Sequence, residues 1–538
     1  MAAATRTYSL HDTLIGTSAL PPPPTRHALF IFLIALAAIL NFGTAGWSDI
    51  HDGSEGLFAS GARQLAQGNG AELPQPTLLH WLIVASFKMF GVRAASARFP
   101  IAAAMVISIA FTFLIGEHIA GYWRGFAAGL IHLCCLGTFV WGRIITPEPL
   151  FAAFLGGAIY CAVCAYQRQR TRRWWLSGVL VFIALCWISR GAIGLIYPLI
   201  ILGLLALSFR EAGMRFSQAP WLSVILFLVF AAVWMIWLKR YLHAPSNYSL
   251  DQNGRALWPF LNWQFAWGLP AGILILPGVC FALGKILRAY EFDFINAVPL
   301  YWMAVVFLPL LIWPHRQDYN SMPMWGGFAL WAACAWDRMP RRFRLIGLGL
   351  TGAAGLALAL ISGNDLSHLI PISAGHDWRP ILLLAGLPLL AAALLAGYFA
   401  MQDRETLALA IVMLAAIPMG LSAAESMSRL GVQFSLANAA QFLAPRLEET
   451  GEILYEGSAF ESSSLGFYLE KKISFVTNAE TERSALEKMS TDHPVFLIIQ
   501  KERVPYWQDR LTERFHIFHQ ETTCGPHVVV GNDLQLKN

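Results

Sequence analysis

Charge is what this sequence has little of. Asp, Glu, Lys and Arg make up 13% of its 538 residues, 33 acids against 38 bases. Soluble proteins carry about 25%, so a soluble enzyme of this length is excluded. Disorder is excluded as well: 56% of the residues are hydrophobic and the mean hydropathy is +0.52, more apolar surface than a disordered chain carries. Cysteine is sparse. Of eight, only Cys524 lies in the polar tail, so no disulfide framework forms there. Cys161 and Cys164 form a CxxC inside an apolar run and read as two small core residues. There is no internal repeat, and no basic patch that marks a nucleic-acid partner. No A-x-A site follows the apolar stretch Ala28–Leu40, which comes after Pro21–Pro24 and Arg26. That predicts an uncleaved first membrane helix.

Long apolar runs are what the sequence does have. A bilayer-spanning helix takes about 20 mostly apolar residues. Roughly thirteen segments qualify by that measure: 28–45, 97–116, 121–141, 149–166, 174–189, 191–208, 219–238, 265–287, 296–314, 321–336, 343–361, 379–399 and 405–424. Cations gather on alternate connections: Arg168, Arg170, Arg172 and Arg173; Arg210 and Arg215; Lys285 and Arg288; Arg338, Arg341, Arg342 and Arg344. The opposite connections carry few, among them Arg143, Arg190, Arg316 and Arg379. The positive-inside rule places the rich side and the N-terminus in the cytoplasm. An odd helix count then puts the C-terminal tail outside.

The fold class expected is an all-α polytopic membrane protein with a small C-terminal α/β extracytoplasmic domain. The membrane domain takes residues 1–425, with a structured first outer loop at 46–96, and the soluble domain takes 426–538. In that tail Glu452–Tyr455, Lys472–Val476, Pro494–Gln500 and His527–Val530 read as strands, and Leu465–Leu469 and Ser484–Met489 as helical pieces.

The first outer loop predicts two short helices. Ser54 caps the first, which Gly68 stops; the second, Leu78–Phe90, is too short to span and lies in the interface. The loop also gathers acids, Asp49, Asp52, Glu55 and Glu72, around His51. Acids at a helix start just outside a membrane can serve as a general base or bind a metal. They can equally cap and solvate the helix.

The loop segment DGSEGLFA from Asp52, the later QPTLLHWLI from Gln75 and ARFP around Arg98 resemble the lipid-linked-sugar glycosyltransferases of the GT-C fold. Within that superfamily they are similar to bacterial aminoarabinose transferases and protein O-mannosyltransferases. ITPEPLF around Glu148 resembles the second acidic motif, ISRGAIGLIYP around Arg190 the Thr-Lys-Gly-Pro-like turn, and HRQDYNSMPMW from His315 a late Arg-Tyr…Pro segment. Two positions depart from the family pattern. Its Asp-Glu pair aligns as Ser54-Glu55, which leaves Asp52 as the nearest acid, and the Lys of its Lys-Pro turn is Gln75.

The resemblance implies an inverting transfer of a sugar from a polyprenyl phosphate sugar donor to an extracytoplasmic acceptor, a lipid, glycan or protein, at a bacterial inner membrane. Asp52, Glu55 and Glu148 are the candidate catalytic acids. Arg190, His315, Arg316, Lys239 and Arg240 are the candidates for the donor phosphate, and His243 for a divalent metal ion. Each has a plainer reading: Glu148 as a helix cap, Arg190 as an interfacial anchor, His315 and Arg316 as loop ends, Lys239 and Arg240 as snorkelling cations. The alternative function is a transporter or flippase. A transporter sets its polar groups near the midplane, at broken helices, whereas this sequence gathers them in outer connections. A glycan-binding relative without catalysis is a third reading.

Overall fold

The computed structural model describes residues 23–68, 78–241, 254–286, 294–363, 377–447, 451–469, 471, 473–491, 493–511, 516–518 and 525–532. The molecule is a helical bundle with a five-stranded sheet docked at one end. Among the described residues, Ala94–Ala120, Glu148–Gln167, Arg172–Arg190, Arg341–Ile361, Arg379–Met401 and Glu405–Gly431 are long and apolar enough to cross a bilayer. Shorter apolar helices include His27–Gly43, Ala192–Ser208, Trp221–Ile236 and Asn296–Ile312.

Three expected spans take another form. The segment 121–141 breaks at Cys135, whose extended backbone separates Tyr122–Cys134 from Leu136–Trp141. The Leu136 N–H then donates to Leu269 O at 3.0 Å, a partner outside its own helix. The segment 265–287 divides into the end of Leu257–Trp267 and a new helix, Ala271–Ile286. The segment 321–336 opens with a 3-10 turn, Asp318–Met324, containing Pro323, before Trp325–Arg338. Proline donates no hydrogen bond and restricts the residue before it, so helices restart beside it.

The bundle is held by close packing, because lipid supplies no hydrophobic force between helices. Gly355 and Gly386 mark one such contact: a Cβ on Gly355 would meet the Gly386 carbonyl oxygen at 2.7 Å. Of these six spans, helix Glu148–Gln167 is the most enclosed, with 89% of its apolar stretch buried. Helix Trp221–Tyr241 is the opposite, with Trp221, Leu222 and Ile236 all more than half exposed. An apolar helix bare to its surroundings fits a lipid-facing position.

The last membrane helix runs on to Leu430, past the expected boundary at 425. The sheet that follows has the order β2-β1-β3-β5-β4. Strands β1 (Glu452–Glu456), β2 (Ile473–Val476) and β3 (Val495–Gln500) are parallel; β5 (His527–Gly531) runs antiparallel to β3 and to β4 (His516–Phe518). Alternate residues bury on opposite faces. Ile453, Tyr455, Phe496 and Ile498 pack with helices Ala437–Leu443 and Ser463–Tyr468. Leu454, Leu497 and Ile499 pack with helices Ala479–Met489 and Val504–Leu511. Helices Ala437–Leu443 and Val504–Leu511 and strand β4 are additions to the elements expected from sequence.

Candidate active site

The first outer loop turns at Gly53, whose φ of +86° favours glycine. This glycine, and not Ser54, is the N-cap of helix Ser54–Ala66. The turn sends Ser54, Glu55 and Asp52 to three different places.

Glu55 points inward and is sealed. Arg98, on the neighbouring membrane helix, donates to its Oε1 at 2.8 Å and to its Oε2 at 3.0 Å. The backbone N–H groups of His51 and Ile145 donate to the same carboxylate at 3.0 and 3.3 Å. The remaining Arg98 donors hold the carbonyls of Ala45, Ser48 and Asp49. Burial pushes the Glu55 carboxyl up, but the Arg98 and His51 charges outweigh it and hold it below the usual carboxylate range. A carboxylate so fully engaged ties the loop to the bundle and is not a free base. The structure therefore moves Glu55 from the catalytic acids to the scaffold.

Asp52 goes to the soluble domain. Its Oδ1 accepts from the N–H and the hydroxyl of Ser464 at 2.9 and 2.6 Å, and its own N–H donates to Phe434 O. Nearby, the Ser463 hydroxyl donates to Gly53 O at 2.9 Å and the Gly53 N–H to Phe460 O at 2.9 Å. Arg63 donates to Phe467 O, and the Tyr468 hydroxyl holds Ile50 and Asp49. Burial raises the Asp52 carboxyl to about 7, against the pull of its Ser464 hydrogen bonds. Asp52 is a docking residue here.

Ser54 faces a cavity of about 1500 Å³. Apolar side chains line most of it, among them Phe151, Ile196, Ile200, Leu204, Val305 and Leu308. Its polar lining includes Ser54, Thr146, Glu148, Arg190, His315 and Tyr319. Glu148 begins its helix directly after Pro147 and is 1% exposed. Arg190 ends its helix directly before Gly191, whose φ of +64° reverses the chain into Ala192–Ser208. These two termini bring Arg190 Nη2 to 2.8 Å from Glu148 Oε1. The two groups form an ion pair; no further donor reaches the Glu148 carboxylate, and the fully buried Thr146 hydroxyl has no hydrogen-bond partner.

The late motif divides in the same way. His315 is exposed at the cavity, and Tyr319 lines it while its ring packs on Trp141 at 5.6 Å. Arg316 turns away: its guanidinium donates to the carbonyls of Leu310, Leu311 and Arg255, closing the end of helix Phe294–Ile312. Here it caps that helix. Asp318 is buried beside Arg255 at 3.2 Å, with its carboxyl pushed up to about 6 by burial. Lys239 and Arg240 sit on helix Trp221–Tyr241, but their side chains lie outside the described residues, as do His243 and Gln75.

Of the expected site residues, the cavity thus unites Glu148, Arg190 and His315. It adds Ser54, Thr146 and Tyr319, whose motifs were visible, and Phe460 from the soluble domain, for which the sequence offers no signal. Among the described residues no group of three or more His, Cys, Asp or Glu side chains is placed to hold a metal. The cavity's polar lining presents one carboxylate, paired with a guanidinium, and one imidazole. Among the described residues that donor set is too small to hold a divalent ion; His243 lies outside them.

The architecture matches solved structures over nearly its whole length. The ArnT of Cupriavidus metallidurans bound to undecaprenyl phosphate superposes with a TM-score of 0.77 at 18% identity, over 94% of this chain and 98% of that one. Its apo form gives 0.75 at 17%, over 96% and 99%. The chain has the GT-C fold. Residues 74–237 of this GT-C chain also match the family model described as dolichyl-phosphate-mannose-protein mannosyltransferase. That match covers the cavity wall from Glu148 through Arg190. An uncharacterized protein of Aquifex aeolicus (strain VF5) is 22% identical over 324 residues, 56% of this chain and 62% of that relative's length.

Proposed function

We propose that this protein is an integral membrane glycosyltransferase. It takes a hexosyl or pentosyl group from a polyprenyl phosphate and places it on an extracytoplasmic acceptor, a lipid, glycan or protein, at a bacterial inner membrane. The cavity carries the reading. An isoprenoid tail needs a long apolar channel, its phosphate a cation at the mouth, and the acceptor hydroxyl a hydrogen-bond acceptor beside that cation. The apolar walls and the Glu148–Arg190 pair supply these in one space. The likeness to a protein crystallised with undecaprenyl phosphate, and the match to a polyprenyl-phosphate-dependent family, support the same substrate class.

In this reading Arg190 and His315 face the departing phosphate. The acceptor oxygen attacks the anomeric carbon, and the bond from that carbon to the phosphate oxygen breaks with its electron pair. The acceptor proton passes to the Glu148 carboxylate, at the oxygen that Arg190 leaves uncovered. Preorganised charge at a developing anion is worth far more in a dry site than in water. Ser54 and the Thr146 hydroxyl orient the acceptor. The transporter reading loses ground because the polar groups lie at the mouth of a cavity beside a docked soluble domain, and not at a midplane break.

The test is transfer in membranes given a radiolabelled polyprenyl phosphate sugar. Wild-type membranes move label to an endogenous acceptor and Glu148→Gln membranes do not. Undiminished transfer by a stably folded Glu148→Gln protein removes the site. Movement of intact lipid-linked sugar across the bilayer with no transfer supports the flippase.

A further inference from the structure

A second concavity, of about 470 Å³, lies on the soluble domain at the carboxyl ends of β1, β2 and β3. The sheet topology makes it. The chain leaves β1 toward helix Ser463–Tyr468, packed on one face, and leaves β3 toward helix Val504–Leu511, packed on the other. Adjacent parallel strands whose continuations part to opposite faces open a crevice, the usual place for a ligand in an α/β sheet.

The lining decides what kind. Glu456 is the fixed floor: Arg503 donates twice to its Oε1, at 3.0 and 2.8 Å, and the Trp507 indole to its Oε2 at 3.0 Å. Glu461, Glu482, Thr477 and Gln500 stand around it. Phosphate is disfavoured, because three carboxylates face the space and its single guanidinium is already paired. Among the described residues no set of acids converges to hold a metal ion. What remains is hydroxyl and amide groups among carboxylates already engaged, Glu461 by the Ser458 N–H and Glu482 by the Tyr506 hydroxyl and Arg510, a lining that matches a neutral ligand rich in hydroxyls.

One loop joins this crevice to the transfer cavity. Ser458 and Glu461 line the crevice, while Phe460 between them lines the cavity and accepts the Gly53 N–H. We propose that the crevice binds a neutral carbohydrate, the glycan portion of the acceptor, and so presents the acceptor beside Glu148. The ligand's identity as acceptor rests on the transferase reading; its chemical class rests on the crevice alone.

The experiment is equilibrium binding to the full-length protein in nanodiscs, read by saturation-transfer NMR, with mannotriose, maltotriose and chitotriose as probes. At least one trisaccharide binds saturably. Glu461→Gln and Gln500→Ala each weaken it about tenfold, about 1.4 kcal/mol. Thr477→Trp, which fills the space, abolishes it, and Glu148→Gln leaves it unchanged. Thermal melting confirms that each variant is folded. Absence of saturable binding by all three probes, equal binding by wild type and all the crevice variants, or competition by inorganic phosphate overturns the proposal. Because no turnover is measured, failed transfer with intact trisaccharide binding counts against the transferase reading and not against the crevice.

Discussion

Arg98 grips both oxygens of Glu55 across 43 residues of sequence, at 2.8 and 3.0 Å. The pair fastens the first outer loop to the membrane bundle. Breaking a buried pair by removing one partner costs about 3–5 kcal/mol, because the other charge is left bare. Glu55→Ala should therefore lower the melting temperature in detergent by many degrees and lose activity through unfolding. A variant that melts normally yet has no transfer would return Glu55 to the chemistry.

Glu148 and Arg190 should behave differently. Both line the cavity, and the pair is open on one side. Glu148→Gln keeps the size and should melt near wild type while transfer falls by about 10²-fold or more, the scale of a lost general base. Arg190→Gln should weaken donor use, raising KM for the lipid-linked sugar. Single-turnover kinetics in nanodiscs separate the two effects.

Asp52 gives a pH signature. Its carboxyl is raised from 3.8 to about 7 in the docked state, chiefly by burial, with Glu461 adding to the rise and Ser464 opposing it. The docked form thus holds a proton that the undocked form releases. Its contribution is fully present below pH about 4, declines as pH rises, and is lost once pH passes about 7. Asp52→Asn removes that titration while keeping an oxygen for Ser464. The variant should dock more tightly than wild type at pH 8 and about equally at pH 4, read by the rate of limited proteolysis between the domains. Identical pH profiles would contradict the assignment.

Gly56 tests the same junction by shape. A Cβ there would collide with Ser463 Oγ and would meet the Ser464 nitrogen at 2.6 Å. Gly56→Val should push helix Ser463–Tyr468 away and speed proteolytic release of the soluble domain, with Phe460 drawn out of the cavity. A variant as resistant as wild type would show that the junction yields.

The apolar channel is tested by filling it. Ala304 lines the cavity from helix Phe294–Ile312, beside Val305 and Leu308. Ala304→Trp should reduce binding of undecaprenyl phosphate several-fold without disturbing the Glu148–Arg190 pair. Retained lipid binding would place the isoprenoid elsewhere.

Hydropathy and proline placement let the helices be read from the sequence, since a spanning segment advertises itself by twenty apolar residues. The breaks at Cys135 and before Trp325 were not readable, because the partners that stabilise them, such as Leu269 O for Leu136, are distant in sequence. Motif spacing brought Glu148, Arg190 and His315 into view. It did not separate them from Glu55, Asp52 and Arg316, because a carboxylate that holds a loop and one that faces a substrate are the same letter.

The sequence by itself determined a bilayer-bound bundle, a polar tail with mixed strand and helix patterning, and the set of ionic side chains on the outer connections. Hydropathy and residue type act locally, so they survive in one dimension. The tertiary structure alone decided which of those ions stay unsatisfied. That depends on whether a guanidinium, a backbone N–H or an open cavity lies within three ångströms or so, the reach of a hydrogen bond. For Ser54, Glu55 and Asp52, near neighbours in the chain, the answer is a cavity, an arginine and a serine of the soluble domain.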